Sequence, residues 1–177
     1  SVFKLADKHL QFVLLTGVTK FSQVSVFSGF NQPKDISSDA RFDALCGISK
    51  HELLSVFKEQ IRELGEANGM TEEQTIAKLK RKYDGYHFSK QMNDIFNPFS
   101  ILNCLDSMDF QDYWFSTGTP TYLMRLLADN NENIRELAGK EYPAAEFVDY
   151  KATKQRPLPM LYQSGYLTIK GYDPTFD

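Results

Sequence analysis

The stretch Phe12-Val-Leu-Leu-Thr-Gly-Val-Thr-Lys-Phe21 decides how this chain is read. Four apolar residues in a row, 12–15, without alternation, predict a strand covered on both faces, as in a parallel sheet. The run closes on Thr16, Gly17, Thr19 and Lys20: hydroxyls, a glycine and a cation. Ligands of parallel sheets gather at the carboxyl ends of strands, and groups of this kind edge nucleotide sites there. A plain strand end and turn uses the same residue types. No second run of this kind follows, so the opening residues read as the last piece of an α/β domain whose earlier part lies upstream, and the chain as truncated.

Two missing motifs narrow the chemistry. There is no G-x-x-x-x-G-K-[ST] loop to cradle phosphates, and Gly139-Lys140 lacks both the upstream glycine and the following hydroxyl. No apolar run ends in an acidic pair that would hold magnesium. The expectation is therefore that this stretch alone neither hydrolyses ATP nor binds it tightly, and that it has no catalytic residue in isolation. A metal-dependent nuclease would need carboxylates and a lysine gathered on a strand pair, and no such cluster is legible.

With 177 residues, 42% hydrophobic and 14% aromatic, the chain can bury a core as one domain or two small ones. A net charge of −3 gives no general attraction to nucleic acid. Cys46 and Cys104 stand far apart, with no His at ligand spacing, which predicts two reduced thiols, no metal site and a cytoplasmic protein. No signal peptide, long apolar stretch or basic amphipathic helix points to a membrane.

Beyond a Ser-rich connection at 22–38, with a short strand expected near 24–27, the period becomes helical. Ser49 and Glu52 form a capping box, Ile48 and Leu53 a hydrophobic staple, and Leu53, Phe57, Ile61 and Leu64 predict one helix as far as Asn68-Gly69. Thr71 and Gln74 open another, carried by Ile76, Leu79 and Tyr83 and ended by Asp84-Gly85. Asn97-Pro98 and Thr119-Pro120 each place a cap residue before a first-turn proline, and a further helix is expected over 131–137. In the tail, residues 156–160 open a short helix, Gly165 ends it, and Tyr166-Leu-Thr-Ile-Lys170 alternates like a strand. A helix followed by a strand is how a winged helix ends.

Together, Phe12 to Ser22, Lys34-Asp-Ile-Ser37, Tyr83-Asp-Gly-Tyr-His-Phe88, Asn97-Pro-Phe-Ser100, Tyr113-Trp-Phe-Ser-Thr-Gly-Thr-Pro120 and Leu161-Tyr-Gln-Ser-Gly-Tyr-Leu-Thr-Ile169 resemble the predicted AAA-ATPase-like proteins of bacteria. These P-loop ATPases often carry a PD-(D/E)XK nuclease-like domain. The resemblance covers nearly the whole chain, and its motifs are specific in combination and weak singly. It implies a mainly α fold with minor β: residues 1–38 as the end of an α/β P-loop core, 39–140 as a helical lid, and 141–177 as a partial winged-helix-like element. It further implies a sensor strand beside the phosphates, with ATP and magnesium bound only in the intact protein. The implied partners are the upstream P-loop part and a downstream nuclease-like domain. A reading from another class is a non-enzymatic helical module that binds a protein or nucleic acid through an aromatic surface.

Three further features carry competing readings. Lys78-Leu-Lys-Arg-Lys82 offsets the negative end of a helix, or Arg81 reaches a phosphate as a lid sensor. Within 83–88, Gly85 predicts a positive φ, and Asp84 with His87 reads as a hydrogen-bonded structural pair rather than an acid and base. Tyr113-Trp114-Phe115, with no basic residue interleaved, reads as a core anchor rather than a platform for bases.

Overall fold

A computed structural model describes residues 9–17, 34–114, 137–148 and 157–176. The fold is mainly helical with a small antiparallel sheet of two strands. The chain divides into two compact units, one of Ser38–Met124 with Thr168–Tyr172, the other of Ser1–Ser37, Arg125–Leu167 and Asp173–Asp177.

In the first of these units, β1 (Ile48–Ser49) leads into α1 (Lys50–Val56), α2 (Lys58–Ala67) and α3 (Glu72–Tyr83); β2 (Ile95–Phe96) and α4 (Pro98–Ser107) follow. Both capping boxes form. Glu52 N–H donates to Ser49 Oγ at 3.2 Å while Ser49 N–H donates to the Glu52 carboxylate at 2.8 Å. Gln74 N–H donates to Thr71 Oγ1 at 3.3 Å, and Thr71 N–H to Gln74 Oε1 at 3.0 Å. Two orphan donors are thereby satisfied at each helix start. Asn97 caps α4 by accepting from Ser100 N–H at 2.9 Å, with Pro98 as the first helical residue.

The single helix expected up to Asn68 is two. Phe57 leaves helical geometry at φ −106° and ψ 21°, dividing α1 from α2. Ser55 Oγ bonds back to the His51 carbonyl at 2.8 Å, a contact that bends helices. The bend keeps Leu53, Ile61 and Leu64 on one face, where they meet Leu79, Phe96 and Ile101 in the core. Ile48, the staple residue, packs on the edge of that core.

Helices α2 and α3 approach closely because Gly65 has no side chain: a Cβ there would stand 2.7 Å from Thr75 Oγ1 and 3.0 Å from the Met70 carbonyl. At the far end of α2, Asn68 Nδ2 donates to the Leu64 carbonyl at 2.9 Å and to the Met108 carbonyl, just past α4, at 3.0 Å. Met108 itself sits in the left-handed region, φ 53°, and ends α4.

The pairing of β1 with β2, Ile48 opposite Phe96 and Ser49 opposite Ile95, has no sequence signal, since two residues carry no period. It also needs a bare neighbour, because a Cβ on Gly47 would fall 1.9 Å from Ile95 Cγ2. Ile95 N–H donates to the Tyr86 carbonyl at 3.2 Å, which fastens the 83–88 turn to the sheet.

In the other unit, α5 (Ala145–Val148) and α6 (Leu158–Gln163) are joined by Gln163 Nε2 donating to the Phe147 carbonyl at 3.1 Å and by the Phe147 and Tyr162 rings, centroids 5.2 Å apart. Gly165, φ 80°, ends α6 as expected. The strand expected over 166–170 does not form. The Tyr166 and Leu167 N–H groups both turn back to the Leu161 carbonyl, while Thr168 and Ile169, which belong to the first unit, bond to His87 there. Two of the segment's N–H groups are thus spent on a helix cap and the Ile169 carbonyl on a side chain, which takes them from a ladder.

The strand expected over 12–15 is likewise irregular backbone, and its side chains face solvent, with Phe12 80% exposed. A strand exists only beside a partner, and among the described residues none lies alongside this run. The strand near 24–27, the helix over 120–127 and all but the last residue of the helix over 131–137 fall outside the described residues. Among the described residues, no helix is long and apolar enough to cross a membrane.

Candidate functional site

The sequence concentrates cations in the last turn of α3, and the fold occupies most of them. Lys78 Nζ lies over the Phe110 ring, 4.1 Å from its centroid. Lys82 pairs with Asp112 at 2.8 Å. Lys80 pairs with Asp94 at 3.1 Å and lies 3.8 Å from Asp84. Arg81, exposed, has no hydrogen-bond or ion-pair partner among the described residues. The helix end is closed by main chain, with Asp84 N–H donating to the Lys80 carbonyl and Asn97 N–H to that of Tyr83. The free guanidinium is therefore not needed to cap it.

The turn that follows carries the densest polar network. Asp84 folds onto its neighbour, accepting from Gly85 N–H at 2.7 Å. Gly85 takes φ 103°, the positive value expected of it. Burial pushes the Asp84 carboxyl above its ordinary range. His87 does not pair with Asp84. Its Nε2 faces Asp94 Oδ1 at 2.8 Å and its Nδ1 faces the Ile169 carbonyl at 2.5 Å, while its backbone N–H donates to Thr168 Oγ1 at 2.8 Å. Hydrogen bonds from His87 and then Lys80 hold the Asp94 carboxyl below its ordinary range. Asp94 was invisible to sequence reasoning because it reaches His87 only through the pairing of β2 with the turn.

A second clasp lies alongside. Asp43, buried, accepts from Ser89 Oγ at 3.0 Å and Asn93 Nδ2 at 2.8 Å, tying the loop before β1 to the turn before β2. Behind both, Tyr83 OH donates to the Gln111 carbonyl at 2.8 Å, and burial raises its phenol far above the ordinary value. Tyr113 packs on the core beside Tyr83, ring centroids 6.5 Å apart, as a core anchor should; Phe115 lies outside the described residues.

Of the residues singled out for a nucleotide, Thr16 and Gly17 are exposed in one unit and Arg81 is exposed in the other. Thr19 and Lys20 lie outside the described residues. Among the described residues, no group of three or more His, Cys, Asp or Glu is placed to hold a metal ion, and Cys46 and Cys104 are free thiols. The His87–Asp94 dyad has the hydrogen bonding of an oriented base, but both ring nitrogens are engaged by protein oxygens, so neither is open to a substrate proton. The network is built to hold segments together.

No family model matches the chain, and no solved structure matches it. Over 169 residues it is 34% identical to a protein of Azotobacter chroococcum mcd 1 that bears the name "Uncharacterized protein in vnfD 5'region". The matched region is 96% of this chain and 30% of that relative, so the chain spans about a third of the length of the curated relative it matches.

Proposed function

We propose that this chain is the sensor-strand and helical-lid portion of a bacterial AAA-ATPase-like P-loop protein, in which nucleotide state moves the lid. The observation that carries this reading is the exposed run 12–15, four large apolar residues ending at Thr16 and Gly17. Fully burying such a side chain is worth about 1.5–3 kcal/mol relative to full exposure, and a sheet supplied by an upstream P-loop part would cover the part of these four that is open. In that setting Thr16 or Thr19 faces the nucleotide, Lys20 borders it, and Arg81 supplies a lid cation. ATP and magnesium belong to the assembled protein.

The relative's greater length leaves room for further parts on such a protein, and a nuclease-like domain downstream belongs to the same proposal. The test is calorimetric titration with ATP and magnesium of this chain alone and of a longer parent protein carrying the upstream residues. The longer protein should bind and the chain alone should not reach micromolar affinity. A parent without ATP affinity would overturn the reading.

One observation favours the second reading, a helical module that docks a partner. Phe99 and Leu102, three residues apart on α4, are 45% and 50% exposed. A parent protein without ATP affinity, combined with loss of a partner on Phe99→Ser, would select this alternative.

A further inference from the structure

We propose that His87 is a proton-operated clasp on the Thr168–Tyr172 segment, closed when the imidazole carries two protons and open when it carries one. The segment reaches its unit across 81 positions of sequence, and two contacts at His87 receive it: the ring on the Ile169 carbonyl and the backbone N–H on Thr168 Oγ1. Lys90 Nζ over the Tyr172 ring, 5.1 Å from its centroid, adds a third contact farther along.

The valence of the ring sets the device. Nε2 and Nδ1 both face oxygens that can only accept, the Asp94 carboxylate and a main-chain carbonyl. An imidazolium donates to both; a neutral ring has one N–H and must set a lone pair against the other oxygen. When one proton leaves, the bond to the carboxylate is the charge-assisted and stronger of the two, so Nε2–H stays and Nδ1 turns bare toward Ile169. The segment then loses its ring contact while Asp94 keeps its own.

Charged groups stand near the ring. Asp94 faces the ring from the loop before β2, Asp84 acts on it from the cap of α3, Lys80 on α3 pairs with both carboxylates, and Lys170 on the segment lies near Gly85. His87 itself is buried.

The His87 amide reports the clasp directly, because its partner is Thr168 Oγ1. Its exchange protection, measured by NMR from pH 5.5 to 8.5 and corrected for intrinsic rates, should fall about tenfold, the size of one lost hydrogen bond. The amide of Ile101, bonded to the Asn97 carbonyl in the core helix, should hold its protection over the same range. In Asp94→Asn the side-chain amide can donate to a bare Nε2 while Nδ1–H stays on Ile169, so protection of the His87 amide should become independent of pH. In a His87→Phe variant protection of the residue 87 amide should be low throughout. A flat profile in the parent chain, an equal fall in Asp94→Asn, or a parallel fall at Ile101 would each overturn the clasp.

Discussion

Thr75, on α3, occupies the space that a side chain at Gly65, on α2, would need, its Oγ1 2.7 Å from the site of a Cβ. Thr75 is fully buried, and the same hydroxyl donates to the Thr71 carbonyl at 2.9 Å, so it cannot simply swing away. A glycine inside a helix normally costs about 1 kcal/mol relative to alanine. Here the sign reverses. Gly65→Ala should destabilise by about 1–3 kcal/mol through overpacking, read as a lower midpoint in urea at unchanged slope. Adding Thr75→Ala should recover part of the loss, and a Gly65→Ala variant more stable than the parent would refute the close approach.

Gly47 meets a harder obstacle in the sheet. The methyl of Gly47→Ala would overlap Ile95 Cγ2, itself buried and branched at the backbone. The loss should be at least about 2 kcal/mol, within the range for core overpacking, and should fall on the β1–β2 pairing. Hydrogen exchange at the Ile95 amide, which bonds Tyr86, should accelerate more than exchange in α4.

Asn68 joins two helix ends with one amide group. Asn68→Ala removes donors to the Leu64 and Met108 carbonyls and should cost about 1–3 kcal/mol, more than either bond alone. Asn68→Asp should be at least as damaging near neutral pH, because a carboxylate turned to two carbonyls repels both. Thermal unfolding of the two variants checks the order.

What the sequence made legible here is what local chemistry encodes. The boxes at Ser49 and Thr71, the Asn97-Pro98 start and the Gly165 stop each need only three or four neighbouring residues, and each stands where expected. Contacts formed at a distance were hidden. The β1–β2 pair joins residues almost fifty positions apart, and Asp94 becomes the partner of His87 only once Ile95 pairs with Tyr86 across the turn. The strands read at 12–15 and 166–170 failed for one reason: an apolar or alternating run specifies a face, while a strand also requires a neighbour for its N–H and C=O groups. The free guanidinium of Arg81 was only half visible, since four cations in one turn do not say which three find partners.

Asp84 gives stability an unusual pH dependence. Burial raises its carboxyl, so in the folded state it holds a proton to higher pH than in the unfolded chain. The unfolded state then binds fewer protons between the two values, and this group's contribution to stability falls as pH rises through that window. Asp84→Asn keeps an acceptor for Gly85 N–H and removes the buried charge. It should therefore raise stability at pH 7, with the gain shrinking toward zero as pH falls below the carboxylate range. Asp94 has the opposite sign: its lowered carboxyl contributes above the ordinary range, and that contribution is lost as pH falls through its folded value. Urea midpoints of Asp84→Asn and its parent at pH 3 and pH 7 test the first statement.

Arg81 and Thr16 should matter to turnover in a longer parent protein and little to the folding of this chain. Both are exposed, and Arg81 has no partner among the described residues, so Arg81→Ala and Thr16→Val should leave the melting temperature of the chain nearly unchanged. In the parent, a sensor hydroxyl or lid cation acts on charge developing at the transferring phosphate. Its removal should lower ATP turnover by about 10- to 1,000-fold, the range for losing one such donor, while ATP affinity changes much less. Thr19→Val is the necessary companion, because either hydroxyl can be the one that faces the nucleotide. Lys82→Ala is the control on the helix: its ammonium is held by Asp112, so it should leave turnover near the parental rate. If Arg81→Ala and Lys82→Ala lowered turnover equally, the cations would act through helix stability, and the sensor role of Arg81 would be wrong.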